Sequence, residues 1–279
     1  MNYLREVFAS RELLANLTLR DIRGQYKRTI LGQLWSLVNP LAAMLVYTIV
    51  FRFLLRAAPP PGDPSGLDIF PVWLLCGLLP WSFFSSAVMG GMGSIVGNAG
   101  LVQKVYFNRI VLPVSTIGAV AFNWLFEMAV LVVVLLLVGG WHVVFFLPAV
   151  VVLMFFLAMF AAGLAMMLSI ANVHFRDTQY FLGILFQIWM YLTPIVYPIS
   201  IVQSLSDRHG GILGTHITLM QIFETNPMFQ YVSAFRALMY DQRIPDWQDI
   251  VACILWAVAA FAIGLAVFRK NEKGLAEAL

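Results

Sequence analysis

The stretch VLPVSTIGAVAFNWLFEMAVLVVVLLLV, residues 111–138, contains no Lys, Arg or Asp and a single acidic side chain, Glu127. A helix crosses a hydrocarbon core of roughly 30 Å with about 20 apolar residues, so this run reads as a spanning helix with length to spare for tilt. Working outward, the same test finds 70–89 and 36–55 before it, and 145–171, 181–199 and 250–268 after it. The whole chain agrees: 279 residues, 61% hydrophobic and 11% charged, against roughly 45–50% and about 25% for soluble domains. The expectation is an all-α integral membrane protein with six transmembrane helices in one domain over 1–279. Residues 1–35 form a cytoplasmic or interfacial helix, 36–268 the six-span core and 269–279 a cytoplasmic tail.

Composition excludes several classes. Cys76 and Cys253 lie inside apolar runs, leaving no disulfide framework and no CxxC site. His142, His174, His209 and His216 show no ligand spacing on a common helix, so no metal is expected. The net charge of +3 is small and sits between the apolar runs, which gives nucleic-acid binding no support. The first residues carry Arg5, Glu6, Arg11 and Glu12 and lack an apolar core, so they do not read as a cleaved signal peptide.

An even number of spans puts both ends of the chain on one side. That side would carry Arg5, Arg11, Arg20, Arg23, Lys27, Arg28, Lys104, Arg109, Arg176, Arg269, Lys270 and Lys273, twelve of the 17 Lys and Arg. The other holds Arg52, Arg56, Arg208, Arg236 and Arg243. Positive charge collects on the cytoplasmic side, so both termini are expected there.

Two stretches outside the spans read as structured. Leu19, Ile22, Tyr26 and Ile30 recur at helical spacing beside Arg20, Arg23 and Lys27, the pattern of an amphipathic helix in the headgroup region of the inner leaflet. The connection 200–249 is long for a loop and holds apolar pieces near 215–223 and 228–240, each too short to span. Short re-entrant or interfacial helices between spans five and six are expected there. Pro59, Pro60, Pro61 and Gly62 mark a turn or extended loop outside the first span.

Four segments carry a resemblance: LLANLTLRDIRGQYKRTILGQLWSLVNP (13–40), VQKVYFNRIVLPVS (102–115), ANVHFRDTQYFLGILFQIWMYLTPIVYP (171–198) and NPMFQYVSAFRALMY (226–240). In order and spacing the chain resembles the permease subunits of ABC-2 type polysaccharide exporters, the group that handles O antigen, teichoic acid, capsule and galactan. The resemblance implies a homodimer in a bacterial plasma membrane, docked to two copies of a cytoplasmic ATP-binding subunit. The cargo it implies is a polysaccharide linked to an undecaprenyl- or decaprenyl-pyrophosphate lipid. ATP and Mg would be bound by the partner, and this chain would be a transport subunit rather than an enzyme. Independently of the resemblance, no G-x-x-x-x-G-K-[ST] occurs in the sequence, so the phosphate-cradling loop of that ATPase type is not in this chain.

The resemblance assigns ATPase coupling to the loop after span two, at Lys104, Val105, Tyr106, Phe107, Asn108 and Arg109. Its aromatic and basic composition suits a short plug for a partner's groove; the alternative is a headgroup-anchored turn. A second contact is the loop His174, Phe175, Arg176 and Asp177, whose charges have the alternative reading of a helix cap.

Inside the spans, Glu127 is the one deep carboxylate, costly there unless it faces water, finds a partner or takes up a proton. Asn123 lies one turn earlier on the same face. Both, with Gln187, are candidates for a channel lining, against the alternative of structural hydrogen bonds between helices. Sugars lay their C–H faces on aromatic rings, and Trp73, Trp81, Phe83, Phe84, Trp189, Tyr191 and Tyr197 are candidates for an exit lining. The alternative for each is the aromatic belt of any membrane protein. Arg20, Arg23, Lys27 and Arg28 are candidates for the carrier's pyrophosphate, or equally for ordinary anionic membrane lipid.

Competing functions are an ABC-2 permease for a small molecule or drug, and an intramembrane enzyme or secondary transporter. The latter pair lacks a catalytic constellation and repeat symmetry.

Overall fold

A computed structural model describes residues 10–25, 27, 29–54, 56, 61–105, 107–209 and 218–279. Its helices are α1 (Arg11–Gln25), α2 (Gly32–Leu54), α3 (Phe70–Gly97), α4 (Ala99–Lys104), α5 (Val111–Gly139), α6 (Trp141–His174), α7 (Thr178–Tyr191), α8 (Ile199–His209), α9 (Leu219–Thr225), α10 (Pro227–Arg236), α11 (Trp247–Asn271) and α12 (Leu275–Ala278). No β-sheet forms among the described residues. Tyr26, Arg28, Pro59, Pro60, Tyr106, His216 and residues 1–9, all drawn on in the sequence analysis, lie outside the described residues.

Among the described residues, five helices, α2, α3, α5, α6 and α11, are long and apolar enough to cross a membrane. The segment expected as a span over 181–199 takes another form. Helix α7 has 14 residues, about 21 Å at 1.5 Å per residue, and the chain then turns through 192–197. Pro194 and Pro198 supply no amide donor to continue the helix. Asn226, from the start of α10, closes its end, its Nδ2 donating to the Leu192 carbonyl at 3.2 Å and to Thr193 Oγ1 at 2.9 Å. Five long helices and one shortened one therefore stand where six full spans are expected.

The bundle is built around α3, which buries residues on every side, among them Leu74, Cys76, Phe84, Ala87 and Val88. Helices α5, α6 and α10 surround it, and α11 packs along α6. The α6–α11 crossing is backbone against backbone. A Cβ at Gly264 would lie 2.2 Å from the Gly163 carbonyl oxygen, and one at Gly163 would lie 2.3 Å from Ala260. In lipid, where apolar side chains gain nothing by leaving the solvent, such close approach of small residues is what holds helices together.

A second apolar cluster lies at the bundle end shared by the start of α1 and the end of α11. It joins Leu17 of α1, Val102 of α4, Ile110 and Val111 at the start of α5, Val173 of α6, Phe268 of α11 and Leu275 of α12. The periodicity of Leu19, Ile22, Tyr26 and Ile30 pointed to a helix, but the face α1 buries is a different one. Leu17 is buried and Leu19 and Ile30 are exposed, because the helix lies lengthwise on α5. Thr18 Oγ1 donates to the Ser115 carbonyl at 3.4 Å, and Asn123 Nδ2 donates to Gln25 Oε1 at 2.7 Å. The near-constant sequence offset of those two bonds means the helices run side by side in the same direction.

Candidate functional site

The polar residues of α2, α3 and α5 converge on one cavity of about 460 Å³. Helix α2 contributes Trp35, Ser36, Asn39 and Tyr47; α3 contributes Trp81, Ser82, Phe83, Ser85 and Ser86; α5 contributes Asn123, Trp124 and Glu127; Gln25 comes from the end of α1 and Met190 from α7. Polar groups at this depth are expensive unless they face a wet cavity or one another. Here they do both, in part. The Gln25 to Asn123 bond satisfies one end of the Asn123 amide, while Asn123 Oδ1 and Trp124 Nε1 are buried without a partner among the described residues. The aromatic walls are rigid: Phe83 stacks on Trp124 with centroids 4.0 Å apart, and Trp81 meets Trp189 edge-on at 6.1 Å.

Of the residues proposed from sequence as a passage lining, Asn123, Glu127, Trp81 and Phe83 border this cavity. The others lie elsewhere. Phe84 is enclosed in the core, stacked on Phe160 at 5.3 Å. Gln187 is exposed on α7. Trp189 Nε1 donates to Asn226 Oδ1 at 2.8 Å, and Tyr197 Oη donates to the Tyr191 carbonyl at 2.6 Å, so these rings fasten the end of α7 to its neighbours. Trp73 lies under a guanidinium: Arg236 Cζ is 3.6 Å from its ring centroid. The same Arg236 donates from Nη1 to the Pro194 carbonyl and from Nη2 to the Ile195 carbonyl, both at 2.6 Å. That knot borders a separate cavity of about 470 Å³, which also touches Asp63, Tyr240 and Asp241. Burial raises the pKa of the Asp241 carboxyl, and Arg243, 3.6 Å away, acts in the opposite direction.

At the other end of the bundle, the two loops read as partner contacts flank the second apolar cluster. Lys104 and Val105 are exposed, whereas Phe107 is half-buried and packs against the cluster. Asn108 Oδ1 accepts the Ile110 amide at 3.3 Å, just before α5 begins. In the second loop Phe175, Arg176 and Asp177 are exposed, and His174 Nδ1 pairs with the Ile170 carbonyl at 2.9 Å. Asp177 stands at the cap position of α7, but its side chain accepts no cap hydrogen bond.

Of the basic candidates, Arg20 bonds Asp21 at 2.9 Å and Asn98 at 3.0 Å, tying α1 to the α3–α4 junction. Arg20, Arg23 and Lys27 share an open groove with Asn16 and Leu19. No cluster of three or more metal-ligating side chains occurs among the described residues.

Gln25, Asn39, Trp124, Ser82, Ser85 and Ser86 also line the cavity and were not among the residues expected from the sequence. The serines carried a readable signal, a polar strip at helical spacing inside an apolar run. Gln25 carried none, since its place depends on how α1 meets α5.

Comparison with known proteins bears on what these features serve. The family model for the ABC-2 type transporter matches residues 12–207. The O-antigen export system permease protein RfbA of Myxococcus xanthus is 31% identical over 276 residues, 99% of this chain and 98% of that protein. A protein of the same name from Klebsiella pneumoniae is 25% identical over 96% of this chain and 95% of its own length. The polysialic acid transport protein KpsM of Escherichia coli is 26% identical over 93% of each chain. A family match across most of the length, joined by a relative of this similarity from end to end, places the chain in the ABC-2 type transporter family.

Proposed function

We propose that this chain is the membrane permease of an ATP-driven exporter that moves a lipid-linked polysaccharide outward across a bacterial plasma membrane. The observation that carries the reading is end-to-end similarity to permeases named for O antigen and polysialic acid, on a chain whose intramembrane cavity offers serines, amides and aromatic faces together. A strip of three serines beside the amides of Gln25, Asn39 and Asn123 offers saccharide hydroxyls both donors and acceptors.

In this reading the amino-terminal helix, the 104–109 and 174–177 loops and the segment after α11 face the cytoplasm, as the distribution of Lys and Arg supports. Two copies of a separate ATP-binding subunit dock there, against the exposed Lys104, Val105, Phe175 and Arg176, with Tyr106 as a further anchor. ATP and its Mg belong to that partner. Arg20, Arg23, Lys27 and Arg28 meet the carrier's pyrophosphate, where arginine's fork of donors fits phosphate oxygens. The permease works as a homodimer. Helix α2 buries none of its residues within the chain, and α7 presents Phe181, Ile184 and Ile188 outward; a second copy laid along them would wall the cavity on its open side.

The test is purification of the tagged protein from its own host in mild detergent, with mass spectrometry of what accompanies it and an ATPase assay. A co-purifying ATP-binding subunit, together with loss of surface polysaccharide when the gene is deleted, is the expected result. Unchanged surface polysaccharide in the deletion strain would overturn the cargo, and isolation of the chain alone under conditions that preserve other complexes would overturn the assembly.

A further inference from the structure

The loop read as the coupling element is held from a direction its own flanking helices do not supply. Helix α4 ends at Lys104, and Val105 is extended, with φ −127° and ψ 134°. The chain then has only residues 106–110 in which to turn into α5. Inside that turn the backbone amide of Arg109 donates to Glu272 Oε1 at 2.8 Å, and Arg109 Nη1 donates to the Glu272 backbone carbonyl. Glu272 opens the short 3₁₀ turn that follows α11, so one residue of that turn receives both a main-chain and a side-chain donor from one residue of the loop. A few residues on, Leu275 is wholly buried beside Val102, Ile110 and Val111, and α12 packs against α4 and the end of α6. The segment 272–279 thus folds back under the loop and is fixed to it at two points, one polar and one apolar.

From these contacts we propose that Glu272 and Leu275 are positioning residues for coupling: they hold Phe107, Asn108 and Arg109 in register with the ATP-binding partner and carry their displacement into α11. The inference rests on the coupling role proposed above. Physically, a loop tied only to α3 and α5 would pass a push to those two helices. Tied also to α11, it passes a push to the α6–α11 pair, which packs backbone to backbone at Gly163 and Gly264. A hydrogen bond from a main-chain amide to a carboxylate is the stronger, charge-assisted kind, fit to bear such a load.

The experiment uses the full permease with its ATP-binding partner in the native host. Membrane abundance, co-purification of the partner, and surface polysaccharide delivered per ATP hydrolysed are measured for Glu272→Ala, Glu272→Gln, Leu275→Ala and Phe107→Ala. Glu272→Ala is expected to insert and to retain the partner while export per ATP falls roughly tenfold, the size of losing one hydrogen bond to a charged group. Glu272→Gln keeps a neutral acceptor for the Arg109 amide and should recover part of that loss; a residue that only stabilised the fold would change abundance and leave the ratio alone. Wild-type export per ATP in Glu272→Ala and Leu275→Ala, with Phe107→Ala impaired, would overturn the positioning role and leave the coupling loop standing. Wild-type export per ATP in all four variants would overturn the coupling assignment itself.

Discussion

Gln25 and Asn123 form a 2.7 Å side-chain hydrogen bond that joins the last residue of the amino-terminal helix to the middle of α5, one turn before Glu127. It ties a helix outside the spans to the lining of the polar cavity that Glu127 also borders. An amide pair suits the task, since its strength does not depend on pH.

Removing the Gln25 side chain leaves the Asn123 amide buried without an acceptor, which costs about 1–3 kcal/mol. Gln25→Ala is expected to melt earlier in detergent and to export less. Adding Asn123→Ala should cost little more, because the two residues share one interaction. Thermal melts in which the two losses simply add would argue against the latch.

Glu127 shares the cavity with Asn123 and Ser86. If hydrogen bonding rather than charge is its contribution, Glu127→Gln keeps most of the export activity and Glu127→Ala loses at least severalfold, the scale of one hydrogen bond. Surface polysaccharide in a complemented deletion strain reads the difference; undiminished export from both variants would make the carboxylate incidental.

Arg236 holds the 192–197 turn through two carbonyls while lying on Trp73. Lysine cannot reproduce a fork of parallel donors. Arg236→Lys should therefore destabilise the protein by about 1–3 kcal/mol, and Trp73→Leu by a further part of that through the lost cation–π contact. Limited proteolysis should then cut between 192 and 198 first, and protection there equal to wild type would sink the prediction.

Gly264 has no room for a side chain. Gly264→Ala forces α6 and α11 apart, with an overpacking cost of about 1–3 kcal/mol or more, visible as aggregation in size-exclusion chromatography. Gly183 on α7 has nothing within 4 Å of an added Cβ, so Gly183→Ala should be neutral or stabilise by up to about 1 kcal/mol. Equal behaviour of the two variants would refute the contact.

Much of the architecture was legible because lipid imposes a one-dimensional rule: length and apolarity of a run decide whether it spans. Five of the six runs chosen on that rule are long helices. The sixth broke the rule for a local reason that the prolines hinted at, although the capping by Asn226 comes from more than thirty residues away. The polar content of the cavity was half legible. Glu127 and Asn123 stood out against apolar neighbours, while the aromatic group divided between cavity wall, core and the Arg236 knot, which composition alone does not distinguish.

The sequence by itself determined that this is a helical membrane protein, roughly where its long apolar helices fall, and which family its motifs resemble, since each of these depends on composition or local spacing. Only the tertiary structure decided which polar residues meet. The pairings of Gln25 with Asn123, Arg109 with Glu272 and Arg236 with Trp73 join positions 98 to 163 residues apart in the chain. Nothing local to either partner specifies such a contact; it arises when packed helices bring distant groups within the 3–4 Å or so over which a hydrogen bond or a cation–π contact acts.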